Sequence, residues 1–138
     1  MMKSKNKIDL IIAIIIFILF IFTNIYAVRK IFDYGTQVYL YDKLLVSFQV
    51  GGRPALVNEL EKVLSEDKLR HELISAANFK KALVNINDPE EFLKNISAKQ
   101  KAKISQLRNM RSAVFVLLLF IFLIRIIIKR LRIKSIST

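Results

Sequence analysis

The sequence predicts an all-α membrane protein, with two transmembrane helices extended as antiparallel stalks and capped by two short helices in the loop to make a small helical bundle. Three observations carry that expectation. Two apolar clusters stand toward opposite ends of the 138-residue chain, and each extends to the ~17–25 residues that a helix needs to cross a bilayer. Between them, apolar residues recur at helical rather than alternating spacing. The interruptions are helix punctuation: paired glycines, and prolines suited to the first position of a helix.

Residues 1–7 form a basic tail, with Lys3, Lys5 and Lys7. Residues 8–28 form the first span. Its run from Leu10 to Phe22 is unbroken and continues through "TNIYAV" to Val28, about 21 residues and roughly 31 Å of helix. A basic start before an apolar stretch has the form of a secretory signal. In "IYA" at 25–27, however, Ile stands where a small residue is wanted before a cleavage site, so an uncleaved signal-anchor is expected.

Residues 29–111 form the loop domain, expected on the extracytoplasmic side. Ile31, Tyr34, Val38, Tyr41, Leu45 and Phe48 recur at intervals of 3, 4, 3, 4 and 3, a heptad seam of the coiled-coil kind that continues the first span as a stalk. Residues 36–50 are also rich enough in Val, Tyr and Phe to suit a hairpin turning at Asp42-Lys43, but that turn lacks the usual glycine. "GGRP" at 51–54 ends the stalk and opens a helix whose apolar face is Leu56, Val57, Leu60, Val63 and Leu64. Ser65 in "SEDK" is the expected cap of a further helix running to about Val84, with Leu69, Leu73, Ala76 and Leu83 available for packing. In "NDPEE" Asp88 caps, Pro89 takes the first helical position, and Glu90 and Glu91 complement the positive helix end. From there one helix can run through the second span, with Leu93, Ile96, Ile104 and Leu107 on its seam and Gln100 interrupting it.

The second span is placed at 112–128 and the basic C-terminal tail at 129–138. The core run Ala113–Ile124 has 12 residues, about 18 Å and too short for the hydrocarbon thickness, so the span takes in Arg125 about one turn from its edge. Two readings of Arg125 follow. Its long side chain can snorkel to the headgroups, or it can face a carboxylate. Asp9, at the mouth of the first span, is the acidic candidate within the chain. Lys129, Arg130, Arg132 and Lys134 would meet anionic lipid headgroups, and Tyr26 would anchor at the interface.

The net charge of +12 is unevenly spread: residues 1–91 carry 12 basic and 11 acidic groups, residues 92–138 carry 11 basic groups and no acid. The basic residues flanking the first span favour a cytoplasmic N-terminus, and the loop is longer than the stretch over which flanking charge governs translocation. Both termini are therefore expected in the cytoplasm and the protein in the cytoplasmic (inner or plasma) membrane.

No chemistry-bearing constellation stands out. Cysteine is absent and His71 is the single histidine. On a helix its neighbour Glu72 points about 100° away, which makes no relay. "GG" at 51–52 lacks the lysine and hydroxyl residue of a phosphate loop, and the lysines from 94 to 111 are not interleaved with the aromatics that nucleic-acid binding uses. No enzyme activity, metal, cofactor or small-molecule substrate is expected. The expected partners are anionic lipids and other membrane-protein subunits, or further copies of the chain. The leading functional expectation is an accessory or scaffold subunit of a cell-envelope membrane complex. One alternative is a signal-input module, which would need a separate cytoplasmic output partner because about ten residues follow the second span. The other is a small cationic membrane-active protein of the holin or toxin type.

Overall fold

The computed structural model describes residues 2–66 and 76–136. Among these residues it contains three helices, α1 (Met2–Ser65), α2 (Ala76–Asn85) and α3 (Pro89–Ile136), and no strand. They are divided between two compact units. One is Arg29–Gln106; the other joins α1 up to Val28 with α3 from Leu107 onward.

In the unit of residues 29–106, α1 is two helices joined at a kink. Gly52 has φ 65° and ψ −158° inside the helix, a left-handed conformation that a Cβ would penalise. Its neighbour Gly51 is required for a different reason, since a Cβ there would lie 2.5 Å from that of Ala55. The arm after the kink folds back on the arm before it. Lys43 and Glu59, each eight residues from Gly51, form an ion pair at 2.7 Å. Residues 36–50 are helical, so the hairpin alternative does not occur.

α2 returns along the second arm, with Lys80 Nζ 2.9 Å from Glu61 Oε1. Its C-terminal end is held by Arg53, whose guanidinium donates to the carbonyl oxygens of Val84 (2.8 Å), Ile86 (2.6 Å) and Asn87 (3.2 Å). Terminal carbonyls lack partners within their own helix, and a cation satisfies both their hydrogen bonding and their dipole. α3 then starts as its sequence dictates: Glu91 N donates to Asp88 Oδ1 at 3.0 Å, with Pro89 in the first turn. Ser65 ends α1, its hydroxyl donating to Lys62 O at 2.6 Å, a bond that a serine at a helix end makes to its own preceding turn; the amides it was expected to cap lie outside the described residues. Asp67, Lys68, Leu69, His71, Glu72 and Leu73, which the sequence assigned to the following helix or weighed as a relay, lie outside the described residues.

These four helical segments enclose one core: Leu40, Tyr41 and Leu44 from the first arm, Leu56, Leu60 and Val63 from the second, Phe79 and Leu83 from α2, and Leu93 from α3. Full burial of each aliphatic side chain is worth roughly 1.5–3 kcal/mol. Phe79 links the aromatic members, its ring centroid 5.6 Å from that of Tyr41 and 6.3 Å from that of Phe92. The arrangement is an antiparallel four-helix bundle.

The expected seam on α1 lies at the edge of this core, with Tyr41 inside it and Leu45 and Phe48 packed against it. Tyr41 is buried, but Ile31, Tyr34, Val38, Leu45 and Phe48 are half-buried, while Leu40 and Leu44, off that seam, are fully buried. A seam for one partner is a narrow stripe. A helix that meets several partners buries a broader face, whose centre shifts around the helix. On α3, Leu93 is buried, Ile96, Ile104 and Leu107 are half-buried, and Gln100, the polar residue within the seam, is buried.

In the other unit each helix carries a long apolar segment. Their most apolar windows have mean hydropathy 2.8 and 2.6, and no residue of either window is buried within the chain. Both helices are long and apolar enough to cross a membrane. Polar groups in the first turn inward on its own backbone: Thr23 Oγ1 donates to Leu19 O at 2.8 Å and Asn24 Nδ2 to Phe20 O at 2.9 Å. That leaves little unmet hydrogen-bonding capacity on the helix surface.

Candidate functional site

Each unit contains polar side chains brought together from distant positions. In the apolar unit Arg125 Nη2 donates to Asp9 Oδ1. Of the two readings of Arg125, the structure therefore places the guanidinium on a carboxylate. Lys129, Arg130, Arg132 and Lys134 follow on the exposed surface of α3, and Tyr26 is exposed on α1. A second contact, which the sequence did not suggest, joins the same helices: Arg111 Nε donates to Asn24 Oδ1 at 2.7 Å.

In the bundle, Asp42 accepts from Ser97 Oγ at 2.6 Å and pairs with Lys101 Nζ at 3.1 Å. Lys103 Nζ lies 5.2 Å from the centroid of the Tyr34 ring, within cation–π range. Gln37 and Gln100 are buried with side-chain oxygens that have no donor among the described residues. The Asp42 and Tyr34 contacts join α1 to α3 within the bundle. Tyr41, deep in the core, has its phenol pKa raised by burial. The hydrogen bond from Lys43, followed by the charge of that lysine, holds the Glu59 carboxyl below its ordinary range, and the same bond raises Lys43. Glu90 is lowered first by Lys94 and then by Gln49, which donates to it at 3.0 Å.

The most distinctive surface is the face of α1 turned away from this core. Phe32, Tyr39, Val46 and Val50 are 74%, 63%, 56% and 85% exposed, although their backbone lies in the bundle-forming part of the helix. Phe32, Tyr39 and Val46 are spaced at i, i+7 and i+14, and Val50 lies one turn further on, so all four share one stripe. Gly35 lies beside them. A Cβ at Gly35 would meet nothing within 4 Å, so neither space nor backbone conformation within the chain calls for glycine there. Glycine inside a helix costs about 1 kcal/mol relative to alanine. Lys43, the charged residue on this face, is neutralised by Glu59.

Sequence reading missed this stripe because it chose the neighbouring seam, although the seven-residue spacing of Phe32, Tyr39 and Val46 was visible in the sequence. Among the described residues no group of three or more His, Cys, Asp or Glu side chains could hold a metal ion. Comparison with family models, with curated proteins and with solved structures returns no match to this chain.

Proposed function

We propose that this chain is a two-pass integral membrane protein with both termini in the cytoplasm, and that it acts without catalysis as an accessory or scaffold subunit of a cell-envelope membrane complex. The observation that carries the reading is the stripe of Phe32, Gly35, Tyr39, Val46 and Val50. Four large apolar side chains at helical spacing on the outside of a folded bundle are a face made to meet another helix. A glycine among them lets two backbones approach closely. Two chains rooted in one membrane meet at high effective concentration, so a narrow seam is enough to hold them together. The partner is a helix held in the same membrane, from a second copy or from a different subunit.

The absence of cysteine from the sequence makes the test direct. In native membranes, a Val46→Cys chain exposed to a short bifunctional thiol reagent should form a discrete adduct, with itself or with one co-purifying subunit. Asn95→Cys, on the exposed side of α3, should not. In intact cells Ser65→Cys should react with a membrane-impermeant thiol reagent and Ser135→Cys should be protected. A chain that stays monomeric in mild detergent and yields no adduct through Val46 would sink the scaffold reading. Reversed labelling would invert the topology.

A further inference from the structure

Beside the Asn24–Arg111 contact, within the apolar unit, is a cleft of about 610 Å³ whose lining includes Phe20, Asn24, Arg108, Arg111, Ser112 and Phe115. Its two sides differ in chemistry. Phe20 and Phe115, with ring centroids 6.0 Å apart, make an apolar wall. Arg108 and Arg111, one helical turn apart on α3 and hence on the same face, make a cationic wall beside the Ser112 hydroxyl.

Asn24 sets the geometry of that cationic wall. Its amide nitrogen is committed to Phe20 O (2.9 Å), which turns its oxygen toward Arg111 Nε (2.7 Å). Guanidinium carries five N–H donors in a rigid fork. With Nε committed to Asn24, the two terminal nitrogens of Arg111 remain to donate. Arg108 has no hydrogen-bond or ion-pair partner among the described residues. A double cation with its acceptors missing, next to an aromatic wall, fits an amphiphile that carries an oxyanion on an apolar tail.

We infer that this cleft binds the phosphodiester headgroup of a phospholipid, held by Arg108 and the Asn24-oriented Arg111, with acyl chain lying against Phe20 and Phe115. Guanidinium forks match phosphate oxygens in bidentate fashion. The position along the chain suits a headgroup as well: Asn24 stands one turn before the end of the first apolar segment at Val28, and Arg111 immediately precedes the second. The site differs from the diffuse attraction of the tail lysines and arginines after Arg125, because it has a cleft, a defined pair of donors and an orienting side chain.

The inference rests on the reading that the two apolar helices lie in lipid, and the experiment separates the two. Full-length protein purified in a nonionic detergent is mixed with phosphatidylglycerol, with diacylglycerol or with inorganic phosphate, and retained molecules are counted by native mass spectrometry. Wild type should retain one phosphatidylglycerol at least tenfold more strongly than diacylglycerol, and millimolar inorganic phosphate should not displace it. Arg108→Gln with Arg111→Gln should abolish that preference. Asn24→Ala and Arg111→Lys, which keep the charge of the cationic wall but lose the fork's orientation, should weaken it severalfold. Lys129→Gln with Arg130→Gln should leave it unchanged, and circular dichroism of every variant should match wild type.

Equal retention of diacylglycerol, displacement by inorganic phosphate, or an equal loss from the tail variants would each overturn the site. Helicity lost in the double arginine variant is covered by Asn24→Ala, whose unchanged retention overturns it too. A wild-type chain that stays in solution without any amphiphile overturns the membrane reading itself.

Discussion

Leu40 and Leu44 are fully buried in the bundle, whereas Leu10 and Leu117, on the same two long helices that contribute to it, are 61% and 58% exposed. The same residue type serves opposite ends because the number of neighbouring helices differs. In residues 29–106 four segments surround one interior, so a leucine removed from water finds protein on every side. In the apolar unit two helices touch along one line, and the rest of each cylinder must be covered by something outside the chain. Under the proposed membrane reading that cover is lipid, whose tails are as apolar as leucine, so between such helices burial would supply little specificity. The contacts that set their alignment are polar ones, Asp9 with Arg125 and Asn24 with Arg111. The two units thus differ in what specifies them, burial around a shared core in one and a few directed polar contacts in the other.

That contrast is broken most directly by truncating leucines in both places. Leu44→Ala or Leu60→Ala, at fully buried positions, should destabilise the bundle by about 2–5 kcal/mol, as core truncations do. Under the proposed membrane reading Leu117→Ala should cost less than about 1 kcal/mol, because lipid or detergent would fill the space that the side chain leaves. Denaturant titration in one detergent, followed by hydrogen exchange at amides of residues 40–63, measures both. Equal costs at the two sites would show that the apolar helices have an interior of their own and would remove the distinction.

A smaller effect tests how the bundle closes. Arg53→Ala removes three charge-assisted hydrogen bonds at the end of α2, and because the side chain is exposed the loss should be about 1–2 kcal/mol. Amides of residues 80–85 should exchange faster while those of residues 10–22 keep their rates. Unchanged exchange in α2 would mean that core contacts alone position it.

The smallest expected effect is one of pH and belongs to the bundle alone. Glu59 is lowered in the folded state, so its contribution is present above its ordinary value of 4.5 and is lost as pH falls through the lower folded value. Lys43 is raised, so its contribution is present below 10.5 and is lost as pH rises through the higher folded value. Tyr41, raised by burial, works in the same direction as Lys43 above its ordinary value of 10.0. The ion pair is partly exposed and its share should stay within about 1 kcal/mol. Glu59→Gln should flatten the acid limb of a stability–pH curve, and an unaltered limb would assign acid sensitivity to other carboxylates.

Features that depend on residues within one or two turns could be read without coordinates. Gly51, Gly52 and Pro54 marked the kink, Asp88 and Pro89 the start of α3, and composition alone marked two segments able to span a bilayer. Ser65 shows where even local reading divides, since one hydroxyl suits either the end of one helix or the start of the next. The rest depended on distance in sequence. Arg53 reaches residues 84–87, Asp42 reaches Ser97 and Lys101, and Asn24 reaches Arg111, pairings that no periodicity encodes.

By itself, then, the sequence determined that the chain is helical, where its helices break and which segments are apolar all round, because each of these follows from short-range sterics and hydrogen bonding or from composition. Only the tertiary structure decided that Leu40 and Leu44 belong to the core, that Phe32, Tyr39, Val46 and Val50 stay outside it, and that Arg125 meets Asp9. A helix presents every face at once, and which face is buried is settled by how many neighbours arrive and from which direction.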